Sequence, residues 1–155
     1  MIDRRAMIGA ILAAASAAAC ARPAKPIEVN VYKSPSCGCC GAWVDHLRSS
    51  GMAVIVQNME DVSPIAAGAG VPDQARSCHT AIVDGYFVEG HVPAADIRKL
   101  LSERPKARGI AVPGMPIGSP GMEQGERRDA YDTMLVLRDG STRAFVEHNR
   151  PVGRS

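Results

Sequence analysis

The sequence predicts an α/β fold in the order β-α-β-(α)-β-β-α, extended at its C-terminus by a loop rich in Met, Pro and Gly and by a β-hairpin. Three observations predict it: short apolar runs alternating with period two, helical stretches with apolar residues on one face, and Asp-Gly pairs placed between strand-like runs. A chain of 155 residues, 46% of them apolar, is enough for one domain with its own core. Net charge is only +2, and two Phe, three Tyr and one Trp make no basic-aromatic pattern for stacking bases. No nucleic acid partner is expected.

Residues 1–21 stand outside the fold. They run charged, then apolar, then small ("MIDRR", "AMIGAILAAASAAA", "CA"), the order of an export signal, and are too short and Ala-rich for a good membrane span. Arg4-Arg5 followed by Ala6, Met7 and Ile8 resembles a twin-arginine signal, with Asp3 where Ser or Thr is usual; such a signal exports a protein already folded. Cleavage has two readings. "AAAC" at 17–20 resembles a lipoprotein box with Cys20 as the lipid-bearing residue, although Ala17 replaces the usual Leu; plain cleavage after Ala19 or Ala21 fits equally. On both readings the mature chain leaves the cytoplasm, and a lipid on Cys20 is its only expected tie to a membrane. Cys37, Cys39, Cys40 and Cys78 remain for chemistry.

After the linker "RPAKP", a first unit is expected over 27–104. Ile27, Val29 and Val31 alternate with Glu28 and Asn30 as a strand. "GAWVDHLRSSG" places Trp43, Val44 and Leu47 on one helical face and ends at Gly51, while "AVIV" at 53–56 reads as a buried parallel strand. "VSPIAAGAGVPDQARS" is a weak helix and a loop. "TAIV", Asp84-Gly85 and "YFVEGHV" read as a hairpin, and "PAADIRKLLSERP" as a helix opened by Pro93 that buries Ile97, Leu100 and Leu101. An extension over 105–150 is expected to pack on the same domain: the loop "GIAVPGMPIGSPGMEQGE" at 109–126, then "YDTMLVL", Asp139-Gly140 and "STRAFVEH" as a closing hairpin.

The element order resembles the thioredoxin fold over about residues 27–104, with "SPSCGCCGAW" directly after the first strand. That resemblance places Cys37 at a helix N-terminus, where unpaired N–H groups and the helix dipole favour thiolate. Thiolates are both the nucleophiles of disulfide exchange and the ligands of soft metals, so position alone leaves both chemistries open. Cys39 lies inside the Cys37-x-x-Cys40 pair and would leave a thiol beside any disulfide made there. Where thioredoxin-like enzymes carry a cis-proline the chain reads "SCHTA", which would aim Cys78 at the other three thiols.

Four converging thiols suggest a metal. Adjacent Cys39 and Cys40 fit poorly as two corners of one tetrahedral site, and bridging thiolates in a polynuclear cluster relieve that geometry. Soft ligands select Cu(I). Two structural disulfides are the alternative in an exported chain. Zinc would fit four thiols but leave the Met loop without a role. His91 in "EGHVP" and His79 beside Cys78 are candidate ligands; His46 reads as a helix-face residue and His148 as chemically idle. Met115 and Met122 sit in a long Pro/Gly-rich loop, where they either fill gaps or serve as thioether ligands or a lid.

"KSPSCGCCGAW", "SCHTAIVDGYFVEGHVPAADI" and "GIAVPGMPIGSPGME" together resemble the exported CopG-like copper-resistance proteins, a thioredoxin-like family long catalogued as of unknown function and distinct from the DNA-binding repressors of that name. The resemblance spans about residues 28–148. It implies copper bound in the periplasm in a cysteine-bridged site, a role in copper tolerance by buffering, transfer or Cu(I)/Cu(II) redox cycling, and other periplasmic copper-resistance proteins as partners. By matching motif it implies Cys37, Cys39, Cys40 and Cys78 as ligands, with His79, His91, Met115 and Met122 as further members of the set. No sequence feature shows turnover. The rival class is a thiol-disulfide oxidoreductase using Cys37 and Cys40.

Overall fold

A computed structural model describes residues 25–150; the leader at 1–21, with Arg4, Arg5 and Cys20, lies outside the described residues. In chain order the elements are β1 (Glu28–Lys33), α1 (Gly38–Ser49), β2 (Ala53–Asn58), α2 (Ser63–Ala69), a 3-10 turn (Asp73–Ala75), β3 (His79–Val83), β4 (Tyr86–Gly90), α3 (Ala94–Glu103), β5 (Ala107–Val112), β6 (Tyr131–Leu137) and β7 (Thr142–His148). The strands form one mixed sheet in the order β2-β1-β3-β4-β5-β6-β7. β1 runs parallel to β2 and antiparallel to β3, and β4 is parallel to β5.

Local chemistry explains most of these elements. In α1 the apolar Cys40, Trp43, Val44 and Leu47 recur at i, i+3, i+4 and i+7, and all four are buried. The helix ends in a Schellman motif: Gly51 at φ 80° donates its N–H to Arg48 O, and the Met52 N–H returns to Leu47 O. The β3-β4 hairpin turns on Asp84 and Gly85, both at positive φ as a two-residue type I′ turn requires. α3 follows Pro93 and stops at Arg104, left-handed at φ 49°, just before Pro105.

The sheet is covered on both faces. Val29, Val31, Ala81, Val88, Ile110 and Leu135 pack with Trp43 and Leu47 of α1 and Ile97 and Leu100 of α3. Phe87, Ala111 and Val136, each one residue out of phase with that set, pack with Ala66, Val71 and Ala75 on the α2 side. Each fully buried large apolar side chain contributes about 1.5–3 kcal/mol.

Two expectations need correction. Residues 109–112, read from sequence as the start of the Met loop, belong to β5, paired with β4 on one side and β6 on the other. Four small and aliphatic residues carry little local strand signal; two distant partners supply it. Gly109 is required there, since a Cβ would lie 2.2 Å from Phe87 O. β2 is parallel as predicted but is a half-exposed edge rather than a buried strand, with Ile55 47% exposed. α1 starts at Gly38 with Cys37 as N-cap, as the thioredoxin-like resemblance implies, so Cys39 and Cys40 lie in its first turn. The closing hairpin extends the sheet through β6.

Candidate metal centre

Four segments meet at one end of the sheet. β1 ends at Lys33 and runs through Ser34–Ser36 into α1; β3 starts beside it, with Lys33 opposite His79. β4 ends at Gly90, opposite Val112 at the end of β5, which sends the Met loop over the same edge. Sheet register thus brings residues far apart in sequence to one place.

All four cysteine sulfurs lie within 4.8 Å of one another. In this structure Cys37 and Cys40 are joined as a disulfide, while Cys39 and Cys78 are free thiols. Cys39 Sγ is 3.5 Å from Cys37 Sγ, and Cys40 Sγ packs 3.7 Å from the Cys78 carbonyl oxygen. Cys37, as N-cap, makes no side-chain hydrogen bond to the helix, so its sulfur is left to its neighbours.

A second donor group shares Cys78. Cys78 Sγ, His79 and His91 offer donor atoms within 4.8 Å of one another, His91 Nε2 lying 3.2 Å and His79 Nδ1 3.3 Å from the sulfur. His91 Nδ1 donates to Pro120 O at 2.8 Å, which leaves the Nε2 lone pair facing Cys78. A backbone carbonyl holding one imidazole nitrogen is the usual way a metal-ligating histidine is oriented. The Cys78 S–H can donate to only one of the two rings. His79 is fully buried, and its Nε2 has no hydrogen-bond partner. Its ring lies 4.3 Å from that of Trp43, whose Nε1–H donates to Val92 O at 2.8 Å.

Burial governs the charges here. It pushes the Cys78 thiol up to about 12, with the neighbouring Cys39 acting in the same direction. Burial also lowers His79 to about 3, helped by His91, and lowers His91. In the metal-free protein Cys78 is therefore a neutral thiol beside the neutral imidazoles of His79 and His91. A cation placed among them would reverse that preference and draw out thiolate.

The comparisons bear on this arrangement. Residues 75–122 match the family described as "Protein of unknown function, DUF411". A solved structure named "Copper resistance protein copG- Form 2" is similar with a TM-score of 0.77 and 47% identity, covering 80% of this chain and 99% of that one. The chain belongs to the CopG-like copper-resistance family. The Form 1 structure of the same name is also similar, with a TM-score of 0.76 and 47% identity over 80% of this chain and 98% of that one. No curated protein matches the chain.

The predicted site residues fall into place unevenly. Cys37, Cys39, Cys40, Cys78, His79 and His91 come together. Met122 is half-buried next to Gly121, whose position against Cys39 O and Trp43 N would put a Cβ within 2.8 Å of both. Met115 is 41% exposed at the loop surface and takes a left-handed φ of 49°. His46 caps α3 by accepting the Ala94 N–H at Nε2, and burial lowers its pKa. His148 stands outside the donor groups, with its Nε2 2.7 Å from Asp96 Oδ2. Sequence reasoning missed Glu89, Pro120 and Gly121. For Glu89 a signal existed, a carboxylate inside the otherwise apolar run "YFVEG".

A soft cation fits the residues present. The donors are sulfur and imidazole nitrogen, the ligand types that suit copper, and a buried histidine nitrogen lacks a partner.

Proposed function

We propose that the protein is an exported, periplasmic copper-binding protein of copper resistance that holds Cu(I) in a cysteine-bridged, polynuclear site. Cys37, Cys39, Cys40 and Cys78 are the thiolate ligands, His79 and His91 the imidazole ligands, and Met115 and Met122 the thioethers of the covering loop. One observation carries this reading: Cys78 belongs to two donor groups at once, one all-sulfur and one with two histidines. A thiolate shared by two sets of donors suits a bridge between metal ions rather than a corner of a single site.

Copper bound there would supply one-electron chemistry and a soft cation for buffering or transfer. The chain's own residues supply the enclosure: Pro120 O orients His91, and Gly121 seats the loop on the first turn of α1. The Cys37–Cys40 bond must be reduced by two electrons before both sulfurs are available as thiolates. That bond also favours a second reading, a thiol-disulfide oxidoreductase, because it joins the N-cap residue of a helix to a residue in its first turn.

The test is copper and free-thiol content per chain after anaerobic reconstitution with Cu(I), for the mature protein and for Cys78→Ser. More than one copper per chain, falling in the variant, is the expected result. No bound copper, with Cys37 and Cys40 instead accelerating disulfide exchange, would establish the oxidoreductase.

A further inference from the structure

The geometry points to Glu89 as a positioning residue that sets the distance between Cys78 and His91. Glu89 lies near the end of β4, 1% exposed, and by strand alternation faces the α2 side of the sheet with Phe87. Its carboxylate makes two hydrogen bonds. Oε1 accepts the Ser77 N–H at 2.7 Å, and Oε2 accepts the Thr80 hydroxyl at 2.7 Å. These two donors bracket Cys78 and His79, while Glu89 itself is two residues before His91. One carboxylate therefore ties the strand end that carries His91 to the turn that carries Cys78 and His79.

The sequence of the turn makes this tie necessary. The β3-β4 pairing ends at Thr80 opposite Glu89, so the Ser77 N–H lies beyond the ladder and needs another acceptor. Gly90, at φ 71°, opens the place for that turn: a Cβ there would lie 2.7 Å from Ser77 Oγ and 2.6 Å from Val112 O. Ser77 is thus held from below by Glu89 and admitted from the side by Gly90. An apolar residue in place of Glu89 would leave a part-buried N–H and a buried hydroxyl without their acceptor, and the turn would move to satisfy them. Movement of the turn is movement of Cys78 relative to His91, whose other nitrogen is held by Pro120.

This inference rests on the copper-site reading for its consequence, and one of its two readouts is independent of that reading. Glu89→Ala, Glu89→Gln and Thr80→Val would be made in the mature full-length chain. Two readouts apply: the ratio of Cys78 to Cys39 alkylation by iodoacetamide in reduced, metal-free protein, and the competition of a bidentate Cu(I) chelator with the Cu(I)-loaded protein. Glu89→Ala is expected to change the Cys78 to Cys39 ratio about tenfold and to weaken Cu(I) retention about tenfold, the lower end for residues that orient metal ligands. Glu89→Gln is expected to stay within about twofold of the native chain, since its amide can accept from Ser77 and donate to a reoriented Thr80 hydroxyl. Thr80→Val keeps the Ser77 bond and should fall between them, and it preserves a readout if Glu89→Ala does not fold.

A lowered melting temperature with both readouts unchanged would overturn the positioning role. Glu89→Gln behaving like Glu89→Ala would also overturn it, by showing that charge rather than placement matters. If the native chain retains no Cu(I), the copper reading fails, and the alkylation ratio alone decides for or against Glu89.

Discussion

Two polar clusters built around histidines satisfy their polar atoms in opposite ways. On the far side of α3, Asp96 Oδ2 accepts from the Thr133 hydroxyl and lies 2.7 Å from His148 Nε2, and Tyr131 stacks on the His148 ring at 4.6 Å. That group is complete without a ligand; it ties the last strand to a helix. At the other cluster Cys78 has one proton for two imidazole nitrogens, and His79 Nε2 has no partner at all. Closed polar networks stabilise, whereas an open one, buried and rich in soft donors, is arranged for something that is not the protein.

The contrast can be broken most sharply at Cys78. Cys78→Ser should reduce Cu(I) affinity by more than about a hundredfold, beyond the range for residues that only orient ligands, with little loss of folding stability. Chelator competition and a melting curve on the same sample check both halves. Asp96→Ala should do the reverse. It leaves the Thr133 hydroxyl and His148 Nε2 with only each other, at 3.3 Å, so a loss of about 2 kcal/mol in urea unfolding is expected, with copper content unchanged. Copper loss from Asp96→Ala would mean that the two clusters are coupled.

Smaller effects refine the comparison. Gly121→Ala places a Cβ against Cys39 O and Trp43 N at φ 83°, and should cost about 2 kcal/mol while loosening the Pro120 contact to His91. Proton exchange at His91 Nδ1, followed by NMR, reports that loosening. Metal-free protein should lose stability as pH falls from 6.5 towards about 3, because the unfolded chain takes up a proton that buried His79 refuses in the folded state. In His79→Gln this contribution should be absent from urea midpoints measured across that range. His46→Ala removes only the acceptor for the Ala94 N–H, and about 1 kcal/mol is expected.

Legibility in the sequence followed the range of the interactions involved. α1 was readable because its buried face and its Gly51 stop are local patterns, and the β3-β4 hairpin because Asp84-Gly85 specifies its own turn. β5 was not, since Gly109–Val112 becomes a strand only between β4 and β6. The exposure of β2 was equally hidden: a short apolar run looks the same at an edge as at the centre. Cys37, Cys39 and Cys40 drew notice by their spacing, and Cys78 by standing where a proline was expected. Glu89 escaped because its partners, the Ser77 N–H and the Thr80 hydroxyl, lie on another strand segment.

By itself the sequence determined the supply of soft donors, the order of most of the elements and the turns that reverse the chain, since each depends on residues a few positions apart. Only the tertiary structure decided which donors share a site. The register of Lys33 with His79 and of Gly90 with Val112 carries the first turn of α1, Cys78, His79 and His91 to one edge of the sheet. It also decided which polar atoms are satisfied there, because burial and hydrogen bonding are properties of the packed chain and not of any residue in it.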